Sequence, residues 1–396
     1  MEQATTPVIK SVGLRRLRLL HLAAFFSAFD RFVVAPMLLT IALALGAPLA
    51  EVAATASLYY LLYGLMQPVW GMLSDRLGRV RVMRLTLFGA AVAGVLSSLA
   101  PNLTVLIIAR ALAGGLFAAV IPASLVYIGD TVGIGTRQKA LADLMAASAV
   151  GTALATVFGG LAAYLDGWRV AFAAPALAGA ALAVFLARLP EPKAFSEQKR
   201  EGPLVQAGRV LVQPWALIVV GIALVEGAVI LGFLTFLAPS LESAGFSPAV
   251  AGLAVGLYGL AVLGWTRAVK LVANRLGASA LILIGAGMLS LGYASGAVGQ
   301  SLASVSVAAI LVGGGFAFMH STLQTWATEV VPEARATVIS LFAAALFAGS
   351  GVATMAAAPL AEAGFFDLLF ALAALVAVPL GLFAGLARHR YSGNRR

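Results

Sequence analysis

About twelve apolar stretches, each long enough to cross a lipid bilayer, run through this chain of 396 residues. Crossing the hydrocarbon core takes roughly 20 mostly apolar residues per helix. The composition is 61% hydrophobic and 11% charged, whereas a soluble domain is about 45–50% apolar and about 25% charged. The surplus apolar surface must therefore face lipid. The spans are expected at 19–44, 51–73, 82–100, 103–127, 139–164, 168–188, 214–239, 248–271, 279–299, 303–326, 337–361 and 365–387.

Basic residues are confined to alternate loops, which predicts the orientation in the membrane. Lys and Arg favour the cytoplasmic side, so both termini and the central linker are expected to be cytoplasmic, in the cell membrane or bacterial inner membrane. The basic cytoplasmic loops also explain the net charge of +10, which therefore does not indicate a nucleic-acid-binding protein. The basic loops hold Arg15, Arg16, Arg18, Arg76, Arg79, Arg81, Arg84, Arg137, Lys139, Lys193, Lys199, Arg200, Lys270, Arg275, Arg335, Arg388, Arg390, Arg395 and Arg396, and the opposite loops hold Glu51, Asp166, Glu242, Glu362 and Asp367, with Arg169 the one basic exception.

An internal repeat divides the chain into two halves. LSDRLGRV at 73–80 aligns with VANRLGAS at 272–279, and Asp30 then falls close to Glu226. The prediction is an all-α integral membrane protein with an N-terminal six-helix bundle at 1–188, a cytoplasmic linker at 189–213 and a C-terminal six-helix bundle at 214–396. Two pseudo-symmetric bundles with a site at their interface are typical of a rocking transporter.

The loop after the second span carries the most specific motif. Its sequence, Gly71-Met-Leu-Ser-Asp75-Arg76-Leu-Gly78-Arg79, resembles the G-x-L-[SA]-D-R-x-G-R motif of the major facilitator superfamily. The resemblance implies the twelve-helix fold of that family, with this loop as a conformational latch. It also implies that Asp75 meets the start of helix 11 near Thr337 and that Arg79 pairs with Asp130. The alternative is a basic loop that only sets topology.

Gly71 and the second copy of the motif lead to two further expectations about the latch. Gly71 is expected to let two helices approach closely, because small residues do so in lipid. In the second copy Asn274 replaces the aspartate and Lys270 replaces the glycine, so a second latch would be weaker.

Spans 4 and 5 bear on proton coupling and direction. Arg110, Gly114 and Ala118 resemble the R-x-x-x-G-x-x-x-A pattern tied to proton transfer in proton-coupled members; the alternative is an arginine that reaches the membrane interface. Span 5 keeps the outer glycines of the drug:proton antiporter motif G-x-x-x-G-P-x-x-G-G, but Ala155 and Thr156 replace its Gly-Pro pair. The chain is thus closest in pattern to the drug:proton antiporter-like branch, with half of its signature.

Three charged residues lie deep within apolar spans. Asp30 and Arg31 are in span 1 and Glu226 is at a similar depth in span 7. Charges at such depth are costly and mark functional sites by default. We expect Asp30 or Glu226 to carry a coupled proton, with Arg31 as the counter-ion of Asp30; the alternative is a static Asp30–Arg31 or Asp30–Arg110 pair.

Polar and aromatic residues of other spans are expected to line a central cavity. His320, Gln324 and Trp326 occupy span 10, where His320 serves as a relay, a solute ligand or a structural residue. Arg267 attracts an anionic substrate or belongs to the membrane interface. The aromatic residues line a pocket or simply pack. The cavity set is Phe29, Tyr59, Tyr63, Gln67, Phe233, Arg267, Phe316, His320 and Gln324.

Together these features predict a secondary active transporter, not an enzyme. The favoured function is proton-coupled efflux (antiport) of a small amphipathic solute by alternating access. The alternative is a proton symporter or uniporter that imports an organic anion or metabolite. The expected partners are the solute, protons and membrane lipid, with no nucleic acid, and the chain is expected to act as a monomer. No cofactor and no metal site are expected.

Overall fold

All regular secondary structure is helical within residues 14–192 and 203–393, which the computed structural model of the chain describes. In this part of the chain, 12 helices are long and apolar enough to cross a membrane. The predicted spans and their order are confirmed. We label them α1 Leu17–Leu45, α2 Leu49–Leu77, α3 Arg79–Ser98, α4 Leu103–Thr131, α5 Ile134–Tyr164, α6 Trp168–Arg188, α7 Pro214–Ser243, α8 Pro248–Val272, α9 Ala278–Val298, α10 Leu302–Val330, α11 Pro332–Glu362 and α12 Phe366–Gly393.

Several helices extend beyond the apolar stretches that predict them. α5 begins at Ile134, ahead of the predicted 139, and α12 continues to Gly393, past the predicted 387. Hydropathy marks only the part of a helix in hydrocarbon, whereas the i→i−4 hydrogen bonds continue into charged turns at the surface.

The predicted linker holds a short helix, Pro203–Leu211. Helicity there was not expected, because the segment is polar on average. Residues 193–202, the middle of that linker, lie outside the described residues. So do Lys193, Lys199, Arg200, Arg395 and Arg396 among the basic residues used for orientation.

Irregular turns interrupt several helices near mid-length, and α4 is interrupted at Ala118–Ala119. α1 is interrupted by a 3-10 turn at Ala35–Met37, where Pro36 provides no backbone N–H. α7 contains a π-helical turn at Ala228–Gly232, and α10 contains another at Phe316–His320. Such turns are frequent at functional sites, and these lie beside the deeply placed Glu226 and His320.

We call the end of the bundle with the start of α1 and the end of α12 the terminal face, and the opposite end the distal face. The two halves pack closely at the distal face. A Cβ at Gly160 of α5 would overlap the Pro248 carbonyl at the start of α8, and one at Gly252 would overlap the Thr156 carbonyl. The Ala50 N–H donates to Glu362 Oε2 at 3.0 Å, joining α2 to α11. The distal face is therefore closed.

Packing is looser toward the terminal face. In α8, residues 261–272 are all described and none is buried, whereas most of residues 251–259 are. A Cβ at Gly71 of α2 would meet nothing within 4 Å. The expected close helix approach at Gly71 is thus absent from this conformation, because backbone contact between the halves is made nearer the distal face.

Candidate functional site

A buried ion pair joins α1 to α4. One nitrogen of Arg110, Nη1, donates to both carboxylate oxygens of Asp30 at 3.0 Å, and Nη2 donates to the Asp30 backbone carbonyl at 2.7 Å. The Arg110 side chain is 0% exposed and that of Asp30 is 4% exposed. The guanidinium lies between the rings of Tyr59 and Phe172, at 4.7 and 4.9 Å from their centres. The two opposite charges thus compensate each other in the protein interior.

This geometry corrects two expectations. Arg110, not Arg31, is the counter-ion of Asp30, because neighbouring residues on a helix point in different directions and Arg31 faces away from its neighbour. Arg110 also does not reach the membrane interface, since its side chain is fully buried. The alternative of a static Asp30–Arg110 pair matches the observed contact.

Arg31 instead lies among aromatic rings. Its guanidinium carbon is 4.4 Å from the centre of the Tyr63 ring and 4.9 Å from that of Phe347, and Nη2 donates to the Tyr63 hydroxyl at 3.2 Å. Tyr63 in turn stacks on Tyr59, with ring centres 6.1 Å apart. Because Tyr59 also contacts Arg110, a continuous series of rings connects the two arginines.

A second pair joins α7 to α10. His320 Nδ1 and Glu226 Oε2 lie 3.3 Å apart, and the Glu226 side chain is 0% exposed. Glu226 Oε1 is buried and has no hydrogen-bond partner in the described part of the chain. The His320 ring stacks on Phe316 at 4.5 Å and lies 5.6 Å from Phe342. This buried carboxylate therefore has one oxygen open to a proton and a titratable imidazole at the other.

The two pairs occupy corresponding helices of the two halves. Asp30 and Glu226 lie on α1 and α7, whereas Arg110 and His320 lie on α4 and α10. The repeat alone did not identify the second pair, because Ala309 occupies the position aligned with Arg110. His320 lies about three helical turns further along, a displacement of roughly 16 Å at 1.5 Å per residue.

The remaining cavity residues fall into three groups. Gln67 is buried, whereas Arg267 and Gln324 are exposed. Phe29 packs on Phe25 and Phe158 within the first half, and Phe233 packs on Tyr293 within the second.

Trp326 does not face a cavity as expected. It is fully buried and packs on Trp215 and Tyr391, with Arg388 over its ring. Six residues separate it from His320, which is more than one and a half helical turns, so the two side chains lie on different sides of α10.

A small charged network joins the end of α2, the start of α3 and the end of α4, so the predicted loop motif is mostly helical and only Gly78 lies between α2 and α3. Arg79 Nε donates to Asp130 Oδ2 at 2.8 Å and Arg79 Nη1 donates to Asp75 Oδ1 at 2.6 Å. The Arg79–Asp130 contact is the one the motif resemblance implies. Arg76 is exposed. Gly78 has φ +100°, a conformation that favours glycine.

Glu191, just after α6, was not singled out from the sequence. Its two carboxylate oxygens accept from the backbone N–H groups of Val80 and Arg81, both at 3.1 Å. The first turn of a helix has free N–H groups, and here a carboxylate from a distant segment satisfies two of them. The Tyr127 hydroxyl donates to the neighbouring Pro190 carbonyl at 3.1 Å. No local motif signals this contact, because 111 residues separate Glu191 from Val80.

Comparison with known proteins gives one family match, to the Major Facilitator Superfamily over residues 20–354. A triacylglyceride transporter of Mycobacteroides abscessus is 28% identical over 204 residues, which are 51% of this chain and 40% of that protein. A probable L-galactonate transporter of Escherichia coli is 28% identical over 176 residues, 44% of this chain and 39% of that protein. The matches thus span less than half the length of these relatives.

Solved structures with a similar fold include three transporters. A bacterial homologue of the human lysosomal transporter Spinster superposes with a TM-score of 0.76 at 19% identity, covering 95% of this chain and 96% of that one. A nucleoside transporter gives 0.74 at 16% identity, covering 93% and 99%. A POT family transporter gives 0.77 at 12% identity, covering 93% and 95%. At these identities the likeness concerns the fold.

Proposed function

Since the chain belongs to the major facilitator superfamily, we propose that it exports a small amphipathic solute by alternating access in exchange for protons. It is a multi-pass membrane transport protein and not an enzyme. The proton-coupled efflux, and with it a place near the drug:proton antiporters, is our proposal and rests on the site geometry.

The observation that carries the proposal is the state of Glu226. Its side chain is fully buried, Oε1 has no partner, and Oε2 contacts only a histidine among the described residues. An ionised carboxylate in such surroundings is costly, whereas a protonated one is not. Glu226 and His320 therefore suit a site that takes up a proton from one side and releases it to the other.

Asp30 is less suited to that role. Its carboxylate accepts two contacts from Arg110, and both side chains are buried. Protonation of Asp30 would leave the Arg110 charge uncompensated. We assign this pair the role of joining α1 to α4.

The conformational change follows from the packing of the halves. In our proposal, residues 1–188 and 214–396, joined by the 189–213 linker, rock against each other, and the present conformation has the distal face closed. The Asp75–Arg79–Asp130 network serves as a latch at the terminal face, together with Gly71, Arg76 and Gly78 near the junction of α2 and α3. We propose a monomer in the cell membrane with both termini cytoplasmic, which the basic loops support.

The nature of the cargo is supported by the residues near mid-span. The centres of the Tyr63 and Phe347 rings lie 4.4 and 4.9 Å from the Arg31 guanidinium carbon, and apolar surface beside a charge suits an amphipathic solute better than a free sugar. The mycobacterial relatives are named for a lipid cargo and the Escherichia coli relative for a sugar acid. The second candidate, import of an organic anion by symport or uniport, is favoured by the half-buried cation of Arg31.

Transport by purified protein in vesicles under an imposed pH gradient tests the proposal. Vesicles loaded with a pH-sensitive dye are given rhodamine, naphthoate or naphthamide as cationic, anionic and neutral amphipathic probes. Solute movement opposite to the proton supports antiport, whereas joint accumulation supports the symport alternative. Movement that ignores the gradient contradicts proton coupling of either kind.

A matched pair of variants locates the coupling residue. Glu226→Gln should retain solute binding but lose gradient-driven transport. Glu51→Gln, an exposed carboxylate at the start of α2, should retain both. Equal gradient dependence in Glu226→Gln and the unmodified protein would exclude Glu226 as the proton carrier.

A further inference from the structure

We propose that Arg31 binds the anionic group of the transported solute, so that the cargo is an amphipathic organic anion. This inference rests on the transport function proposed above and narrows its substrate class. It does not depend on proton coupling or on the direction of transport.

The charge balance of the site is the first reason. Asp30 is compensated by Arg110, and Glu226 is in contact with His320. Among the described residues, no carboxylate pairs with Arg31, whose polar partner is the neutral Tyr63 hydroxyl. A guanidinium does not lose its proton, and a charge at this depth is costly unless an opposite charge meets it. The residues that the structure describes supply no such opposite charge at Arg31.

The donor geometry is the second reason. A guanidinium has five N–H donors in one plane and binds a carboxylate or phosphate through two parallel hydrogen bonds. Nη2 of Arg31 donates to Tyr63, but the buried Nε has no partner among the described residues. In our proposal, an oxyanion that enters this edge of the guanidinium gives Nε the acceptor that these residues do not provide.

The surrounding rings are the third reason. The Arg31 guanidinium lies over Tyr63 and Phe347, and more distantly over Phe32 at 5.8 Å. Rings on the faces of a guanidinium hold its plane in one orientation. They also offer apolar surface to the body of a solute whose charged end is at Arg31. An amphipathic molecule matches both features.

The position of Arg31 connects binding to the conformational change. Arg31 and Tyr63 belong to α1 and α2 of the first half, whereas Phe347 belongs to α11 of the second. The Arg31 side chain remains partly exposed, so solvent reaches part of this group. A bound anion would thus contact both halves where they meet.

The solute that matches these features carries an oxyanion, either a carboxylate or a phosphate, on an apolar body. A water-soluble organic acid and an anionic lipid both fit this description. The test therefore has two arms, free acids in a non-ionic detergent and phosphatidate in phosphatidylcholine nanodiscs.

Binding without any gradient tests the inference separately from transport. Naphthoate and decanoate should raise the melting temperature of the unmodified protein by mass action, and the neutral naphthamide and decanol should not. Arg31→Gln should weaken naphthoate binding by about ten- to a hundredfold, the strength of a charge-assisted hydrogen bond. Arg31→Lys should bind naphthoate less tightly than the unmodified protein but more tightly than Arg31→Gln. Lysine keeps the positive charge, but its ammonium lacks the planar arrangement of donors that a guanidinium has.

Arg169→Gln is the matched control. Arg169 also lies over an aromatic ring, 4.1 Å from the centre of Trp168, and donates to the Ala100 carbonyl, but it is exposed at the distal face. Naphthoate binding should be unchanged in this variant. The melting temperature of each variant without ligand shows whether the variant has folded. The comparison of naphthoate with naphthamide uses the unmodified protein, so it does not depend on the folding of any variant.

Each outcome has a defined meaning. Arg31-dependent binding of free acids supports the inference with a soluble cargo, and Arg31-dependent binding of phosphatidate alone supports it with a lipid cargo. Equal binding of neutral and anionic probes would overturn it, as would an equal loss in Arg169→Gln. If Glu226→Gln binds naphthoate normally while gradient-driven transport is absent even in the unmodified protein, proton coupling fails and the anion site stands.

Discussion

Arg110 of α4 donates three hydrogen bonds to Asp30 of α1, two to its carboxylate and one to its backbone carbonyl, in a region closed to solvent. The contact ties α1 to α4. Its counterpart in the second half, Glu226 with His320, has a single contact at 3.3 Å. Both carboxylate oxygens of Asp30 accept a hydrogen bond, whereas Glu226 Oε1 has no partner among the described residues, and on this difference we propose a structural role for the first pair and a proton-binding role for the second.

Breaking the Asp30–Arg110 pair should destabilise the fold. Asp30→Asn or Arg110→Gln alone leaves one buried charge without its partner, which costs about 3–5 kcal/mol of unfolding free energy. The double variant should cost less than the sum of the two, because no lone charge remains. Thermal unfolding in detergent measures all three, and strict additivity would contradict the coupling of the pair.

Neutralising Glu226 should affect the stability of the fold in the opposite direction. Glu226→Gln removes a charge that is 0% exposed and only partly compensated, so its desolvation cost disappears. We expect a melting temperature equal to or above that of the unmodified protein. A loss as large as that of Asp30→Asn would mean that Glu226 is held as tightly as Asp30.

Closure of the distal face should depend on Gly252. A side chain there would overlap the Thr156 carbonyl of α5, and such overpacking costs about 1–3 kcal/mol. Gly252→Val should therefore lower stability. On the same helix, a Cβ at Gly264 meets nothing within 4 Å, so Gly264→Val is the control, and equal melting temperatures for the two variants would contradict the packing described.

The latch proposal predicts a functional loss without a stability loss. Arg79 contacts Asp75 and Asp130, whose side chains are 48% and 32% exposed, and exposed ion pairs contribute only about 0–1 kcal/mol. Arg79→Gln should slow transport severalfold in vesicles while the melting temperature stays nearly constant. Arg81→Gln, in the same helical turn, should transport normally; a similar slowing there would point to general loop charge instead.

Glu191 should stabilise the start of α3. Removing a side chain that satisfies helix N-terminal N–H groups costs about 0.5–2 kcal/mol, so Glu191→Ala should lower the unfolding free energy by that amount. Glu191→Gln keeps one acceptor oxygen and should lose about half as much. Hydrogen exchange of the Val80 and Arg81 amides reports the change directly, and unchanged exchange in Glu191→Ala would exclude the contact.

Much of the fold follows from local quantities along the chain. The length and polarity of each apolar stretch determine whether it spans the bilayer, because a backbone in hydrocarbon must satisfy its hydrogen bonds within its own helix. The helix count, the two halves and the motif loop with Arg79 were predictable on this basis. The ends of α5 and α12 were not, since helices continue past the apolar region.

The sequence by itself determined which charges lie at membrane depth, Asp30, Arg31, Arg110 and Glu226, since depth depends only on distance from the ends of a span. Only the tertiary structure decided which of them meet. Pairing between helices depends on how far each is rotated and displaced along its axis, so Asp30 pairs with Arg110 instead of its neighbour, and Glu226 pairs with a histidine that the repeat did not align. Within the described part of the chain, Arg31 meets no carboxylate, for the same physical reason.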